Sequence, residues 1–84
     1  MPTIAVVDGV RIMIYYQDHL PPHLHAIFSG SEAQISIATG EVLNGSLPRA
    51  KFRAVQNWLA ANREQVAYIW TETRAKRNRG GEAE

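Results

Sequence analysis

The fold is decided first by residues 3–16, which read TIAVVDGVRIMIYY. Residues 3–7 form a short β-rich run, and the Asp8-Gly9 pair that follows is favoured in two-residue hairpin turns. From Val10 to Tyr16, apolar side chains recur at every second position, and this period of two is typical of a strand. The stretch therefore predicts a β-hairpin at the start of the chain.

Three further strands are predicted downstream of this hairpin. Residues 17–22 are expected to form a loop, because their two prolines cannot join a sheet ladder. Residues 23–28 predict a third strand, and a turn at 29–31 leads to a fourth strand over 32–38. A turn at Thr39-Gly40 then leads to a short fifth strand over 41–43, which Asn44-Gly45 ends.

The pattern changes from strand to helix after the fifth strand. Ser46-Leu47-Pro48 is typical of a helix start, since proline is tolerated in the first turn. Apolar residues recur at helical spacing over 49–61. Asn62 is a candidate break and N-cap, and Gln65 completes a capping box for a second helix that runs to about residue 76. A single bent helix is the alternative.

These elements predict an α+β domain, with an antiparallel meander of four or five strands and then one long or two short helices packed on one sheet face. The domain spans residues 1–75, and residues 76–84 are expected to form a charged flexible tail. The other sheet face is expected to be solvated, as antiparallel sheets allow. The helix-covered face is assigned Ile12, Ile14, Leu24, Phe28, Ile35 and Ile37, and the solvated face Arg11, Tyr15, His23, His25, Gln34 and Ser36.

All three histidines of the chain lie in one segment, DHLPPHLH, over residues 18–25. His23 and His25 are two positions apart, so on a strand they share a face with Cα atoms roughly 6.5–7 Å apart. His19 lies on the proline loop, and Asp18 can serve as a fourth ligand or as the carboxylate that orients an imidazole. Such ligands suit zinc, manganese, iron or nickel, so the segment is a candidate site for a divalent transition metal.

The same histidines support two other interpretations. A histidine pair can act as general acid and base on RNA without a metal, with Arg11 neutralising a phosphate and Tyr15 stacking on a base. The candidate catalytic residues are then His19, His23, His25, Arg11 and Tyr15. Alternatively, the histidines only pack and hydrogen-bond, at a rigid Pro-Pro-His corner or at a subunit interface.

The remaining charged and aromatic residues carry weaker signals. The helical region has four basic residues, interpreted as a solvated helix face with a basic patch as the alternative: Arg49, Lys51, Arg53 and Arg63. Three glutamates are scattered along the chain and indicate no catalytic carboxylate: Glu32, Glu41 and Glu64. Trp58 and Trp70 are expected in the core, where large aromatic side chains usually pack.

Composition and charge exclude several classes of protein. The 84 residues include no cysteine, which excludes disulfides and thiolate zinc sites. The net charge of +1 indicates no particular class of partner. No apolar run approaches the roughly 20 residues that cross a bilayer, and the amino terminus lacks the basic start and apolar stretch of a signal peptide. We therefore expect a cytoplasmic protein without membrane attachment.

Several short motifs occur in a specific order along the chain. They are Met1-Pro2-Thr3-Ile4, Asp18-His19, Pro22-His23-Leu24-His25, Ala33-Gln34-Ile35-Ser36-Ile37, Gly40-Glu41-Val42, Gly45-Ser46-Leu47-Pro48, Trp58-Leu59, Asn62-Arg63-Glu64 and Trp70. Together they resemble a family of small bacterial proteins, domain of unknown function 4160, over about residues 1–75. The resemblance implies a genetic context more than a chemistry, because members are often encoded beside a second small protein in what looks like a type II toxin–antitoxin module.

The resulting expectation is a component of a toxin–antitoxin-like pair, on its toxin side, whose histidine cluster acts on RNA or binds a partner. The expected partners are a small cognate protein, RNA and a second copy of the chain. Two alternatives stay open. One is a metal-binding protein that uses the histidine cluster, and the other is a non-catalytic interaction module.

Overall fold

The computed structural model describes residues 3–15 and 20–83, with residues 74–83 described as backbone only. Within these ranges, five strands precede one long helix. They are β1 (Thr3–Val7), β2 (Val10–Met13), β3 (His23–Phe28), β4 (Ser31–Ser36), β5 (Val42–Gly45) and α1 (Arg49–Ala83). The strands form one antiparallel sheet in the order β1-β2-β3-β4-β5, which confirms the predicted α+β meander.

Two tight turns set the register of the sheet. Asp8 and Gly9 have φ angles of 51° and 82°, and Ser29 and Gly30 have φ angles of 47° and 87°. Positive φ at both central residues defines a type I′ turn, and the twist of this turn matches the twist of the two strands that it joins. The turns therefore fix Val7 opposite Val10 and Phe28 opposite Ser31.

Three strands, β2, β4 and β5, have bounds that differ from the sequence prediction. β2 ends at Met13, three residues early, because its pairing with β3 ends at Met13 opposite His25; Tyr16 lies outside the described residues. β4 ends at Ser36, where the Gly40 N–H donates to the Ser36 carbonyl and turns the chain. β5 extends to Gly45, which pairs with Ala33.

The helix covers one face of the sheet and buries the core there. Ile12, Leu24 and Ile35, on three neighbouring strands, have no exposed surface. They pack with Val55, Leu59, Val66 and Trp70 of α1 in one cluster. Of the six residues assigned to this face, five are buried and Phe28 is partly buried. Removing this apolar surface from water, at about 25 cal/mol per Å², is the main force that holds helix and sheet together.

Asn62 interrupts α1 with φ −127° and ψ 20°, outside the helical region. Its side-chain Nδ2 donates to the Trp58 carbonyl oxygen at 2.9 Å. In a regular helix that oxygen accepts from the backbone N–H of residue 62. The predicted break at Asn62 is confirmed, and the side chain caps the carbonyl end of the first segment, the opposite of the predicted N-cap role. The helix is thus one bent helix.

Polar side chains of α1 tie it to the turns of the sheet. Lys51 Nζ donates to the Asp8 carbonyl and carboxylate oxygens, at 2.9 and 3.2 Å. Arg63 Nε donates to the Ile37 carbonyl oxygen at 2.9 Å, and Gln56 Nε2 donates to that of Gly40 at 2.9 Å. Carbonyl groups at turns need hydrogen-bond donors that the sheet itself does not supply. Lys51 and Arg63, two of the four basic residues, supply such donors and so hold the helix to the sheet.

The described part of α1 contains no stretch that is both long and apolar enough to span a bilayer. The helix runs through the region assigned to a flexible tail and ends at Ala83. The flexibility of residues 76–84 stays a prediction.

The close packing of β5 on β4 leaves room only for glycine at position 45. Its φ is +77°, and a Cβ there would collide with the backbone carbonyl of Glu32. We expect Gly45→Ala to lower the free energy of unfolding by about 3 kcal/mol, since it adds a backbone clash to the left-handed strain. Urea denaturation measures the change.

Gly30→Ala is the matched control. Gly30 has a similar φ, +87°, but nothing lies within 4 Å of an added Cβ. The variant should lose only about 1 kcal/mol, the strain term alone. Equal losses in the two variants would contradict the close approach of β5 to β4.

Candidate functional site

β3 places His23 and His25 side by side on the sheet face opposite the core. The two residues alternate with the buried Leu24, so both imidazoles emerge on the same side of the strand. Their ring centroids are 5.2 Å apart, and the ring planes are tilted by 58°. The predicted same-face pair is confirmed.

The expectation that these histidines lie on a solvated surface is wrong. Each has only 7% of its surface exposed. The Trp70 ring packs 5.5 Å from His23, and the Tyr15 ring meets His25 edge-on at 4.5 Å. The histidines on the second face of the sheet are therefore covered, by Trp70 from α1 and by Tyr15, which follows β2.

Glu32 is a functional candidate that the sequence reasoning missed. Its Oε2 lies 2.8 Å from His25 Nδ1, across the β3–β4 hairpin. His25 pairs directly with Gln34, so Glu32 is its diagonal neighbour, within reach of a long side chain. The sequence feature that could have revealed this contact is the two-residue Ser29-Gly30 turn, because it fixes the register that places Glu32 beside His25.

Both histidines have the Nδ1 atom held by an acceptor. His23 Nδ1 lies 2.8 Å from the Pro21 carbonyl oxygen, which can only accept a hydrogen bond. The Glu32 carboxylate plays the same part for His25. Nδ1 is therefore the protonated nitrogen of each neutral ring, and Nε2 carries the lone pair.

Three residues of β2 and its extension lie on the same face of the sheet. Met13 is 5% exposed and pairs with His25. Its Sδ lies 3.6 Å from Arg11 Nη2 and 3.7 Å from the Tyr15 hydroxyl. The structure thus brings the predicted Tyr15 against the histidine pair, whereas Arg11 contacts Met13.

The other two predicted site residues, Asp18 and His19, lie outside the described residues. Within the described ranges, no group of three or more histidine, cysteine, aspartate or glutamate side chains is arranged to hold a metal ion. The metal hypothesis requires that His19 joins the pair on β3, and this stays a prediction.

The tautomers of the two histidines can be measured directly. Long-range ¹H–¹⁵N spectra of the two rings in their neutral form should show the proton on Nδ1 in both. Glu32→Ala should release that preference in His25 and leave His23 unchanged, because His23 is held by a backbone carbonyl. A His25 spectrum indifferent to Glu32→Ala contradicts the assignment.

Comparison with known proteins identifies a family and no characterised relative. No curated protein matches the sequence, and no solved structure matches the chain. A family model described as Domain of unknown function (DUF4160) matches residues 9–71. That range contains the histidine pair and Glu32, and the description specifies no activity, so the toxin–antitoxin pairing stays a prediction. Because the match spans most of the sequence, the chain belongs to the family of domain of unknown function 4160.

Proposed function

We propose that this protein binds a transition-metal ion through the Nε2 atoms of His23 and His25. The observation that carries the proposal is the anchoring of both Nδ1 atoms, one on the Pro21 carbonyl and one on the Glu32 carboxylate. Histidines that bind metals nearly always donate their other N–H to a carboxylate or a backbone carbonyl, which fixes the tautomer and the ring orientation. This pair uses both kinds of acceptor.

The spacing of the rings agrees with shared ligation. Nε2 binds a metal such as zinc at about 2.0–2.1 Å, which puts the ring centroid about 3.2 Å from the ion, so two imidazoles at a tetrahedral angle have centroids about 5.2 Å apart. The centroids of His23 and His25 are 5.2 Å apart. Burial of both rings also keeps water from competing for the ion, since each is only 7% exposed.

Further ligands are expected from the preceding loop. His19 is four residues before His23, and Asp18 is adjacent to it. The sequence motif and the β3 pair together give three imidazoles and a carboxylate, a ligand set that suits zinc, manganese, iron or nickel.

Cobalt binding to Glu32→Gln tests the proposal without removing a ligand. Glu32 is about half exposed (49% of its side chain), so the substitution should leave the fold intact. We expect the wild-type protein, purified without a His-tag, to bind one Co²⁺ per chain with visible d–d absorption. Glu32→Gln should bind it about tenfold more weakly, the usual cost of losing a carboxylate behind a histidine ligand.

Glu41→Gln is the matched control for that measurement. Glu41 is an exposed glutamate in the turn before β5, and its loss should leave cobalt affinity unchanged. Absence of stoichiometric binding by the wild-type protein would contradict the metal site. Equal affinities of the Glu32 and Glu41 variants would contradict the role of the His25–Glu32 contact.

A second candidate is acid–base chemistry on RNA within a toxin–antitoxin-like pair. The His25–Glu32 contact favours it, because a carboxylate on Nδ1 holds an imidazole in the tautomer whose Nε2 accepts a proton. Induced expression in a bacterial host should then arrest growth, and the triple alanine variant at His19, His23 and His25 should not. Arrest that persists in the variant, or no arrest by either protein, counts against this candidate.

A further inference from the structure

We propose that the metal site is selective for copper(I), with the Met13 thioether as a ligand beside His23 and His25. This inference rests on the proposed metal-binding function and adds the identity of the ion. Thioether sulfur is a soft ligand that favours Cu(I), whereas zinc and nickel have less affinity for it. Imidazole binds copper as well as zinc, so the two histidines are compatible with either ion.

The sheet register places Met13 next to the histidine pair. Met13 is the direct cross-strand partner of His25, and such partners have Cβ atoms about 4.5–5.5 Å apart on the same face. Met13 lies on the face opposite the core, yet it is only 5% exposed. The face opposite the core thus carries a buried thioether beside two buried imidazoles.

Contacts of the sulfur hold it within this cluster. The Tyr15 hydroxyl lies 3.7 Å from Met13 Sδ, and the Tyr15 ring packs at 4.5 Å on His25. Tyr15 thus touches both the sulfur and one of the imidazoles. A thioether is only a weak hydrogen-bond acceptor, so its contacts with Tyr15 and Arg11 are easily exchanged for a bond to a metal.

Charge favours a monovalent ion at this position. Two imidazoles and a thioether are all neutral ligands, so only the Glu32 carboxylate behind His25 offsets the charge of the ion. The charge that is left in the buried site is larger, and costs more, for a divalent ion. Arg11 Nη2 lies 3.6 Å from the sulfur, and its repulsion of a dication is twice that of Cu(I). Arg11 is exposed, so solvent reduces this repulsion without changing its sign.

Met13→Leu is the variant that separates the thioether from the histidines. Leucine has nearly the volume of methionine, so the fold should tolerate the change, which circular dichroism checks. Cu(I) affinity is measured under ascorbate by competition with bicinchoninate, and Co²⁺ affinity by absorption. We expect Met13→Leu to weaken Cu(I) binding at least about tenfold and Co²⁺ binding less than about twofold.

X-ray absorption of the wild-type protein loaded with Cu(I) gives an independent readout that needs no variant. It should show one sulfur and at least two imidazole nitrogens around copper. Unchanged Cu(I) affinity in Met13→Leu, or a copper shell without sulfur, overturns the copper inference. The metal-binding proposal still stands in that case if the wild-type protein binds Co²⁺. A wild-type protein that binds neither ion overturns both.

Discussion

The contact between His25 Nδ1 and Glu32 Oε2, 2.8 Å long, is the constraint on which the rest of the site depends. It spans the β3–β4 hairpin, so it exists only in the register that the Ser29-Gly30 turn imposes. A shift of one residue would send Glu32 to the core face and Ala33 to the site. The same register pairs Gln34 with His25 and His23 with Ser36. This turn thus sets both the pairing of β3 with β4 and the contact between His25 and Glu32.

The bend at Asn62 matters for the site because it directs the second half of the helix. Trp70, eight residues beyond the bend, belongs to the core cluster and also packs on His23. The cost of interrupting the helix is reduced by the Asn62 side chain, which satisfies the carbonyl of Trp58. In a domain of 84 residues, where buried surface is scarce, one aromatic side chain serves the core and covers a histidine. The cover over His23 therefore depends on the path of the helix after its bend, whereas Tyr15 covers His25.

Much of the fold could be predicted from the sequence because its signals are local. β1 and β3 have the predicted bounds, the Asp8-Gly9 hairpin forms, and the helix begins at Arg49 and breaks at Asn62. Strand ends were less accurate, because β2 and β5 stop where pairing with a neighbour stops. Glu32 was missed for a related reason. It is seven residues from His25 in sequence and becomes its neighbour only through strand pairing.

The sequence by itself determined the meander, its tight turns, the helix break at Asn62 and the shared face of His23 and His25. Each follows from side-chain periodicity or from the backbone preferences of glycine, asparagine and proline. Only the tertiary structure decided that this face is covered, that Nδ1 of each histidine has an acceptor, and that Met13 lies beside His25. Those facts depend on register and on the path of the helix after Asn62. Both are set by contacts between residues far apart in the chain, which no local pattern encodes.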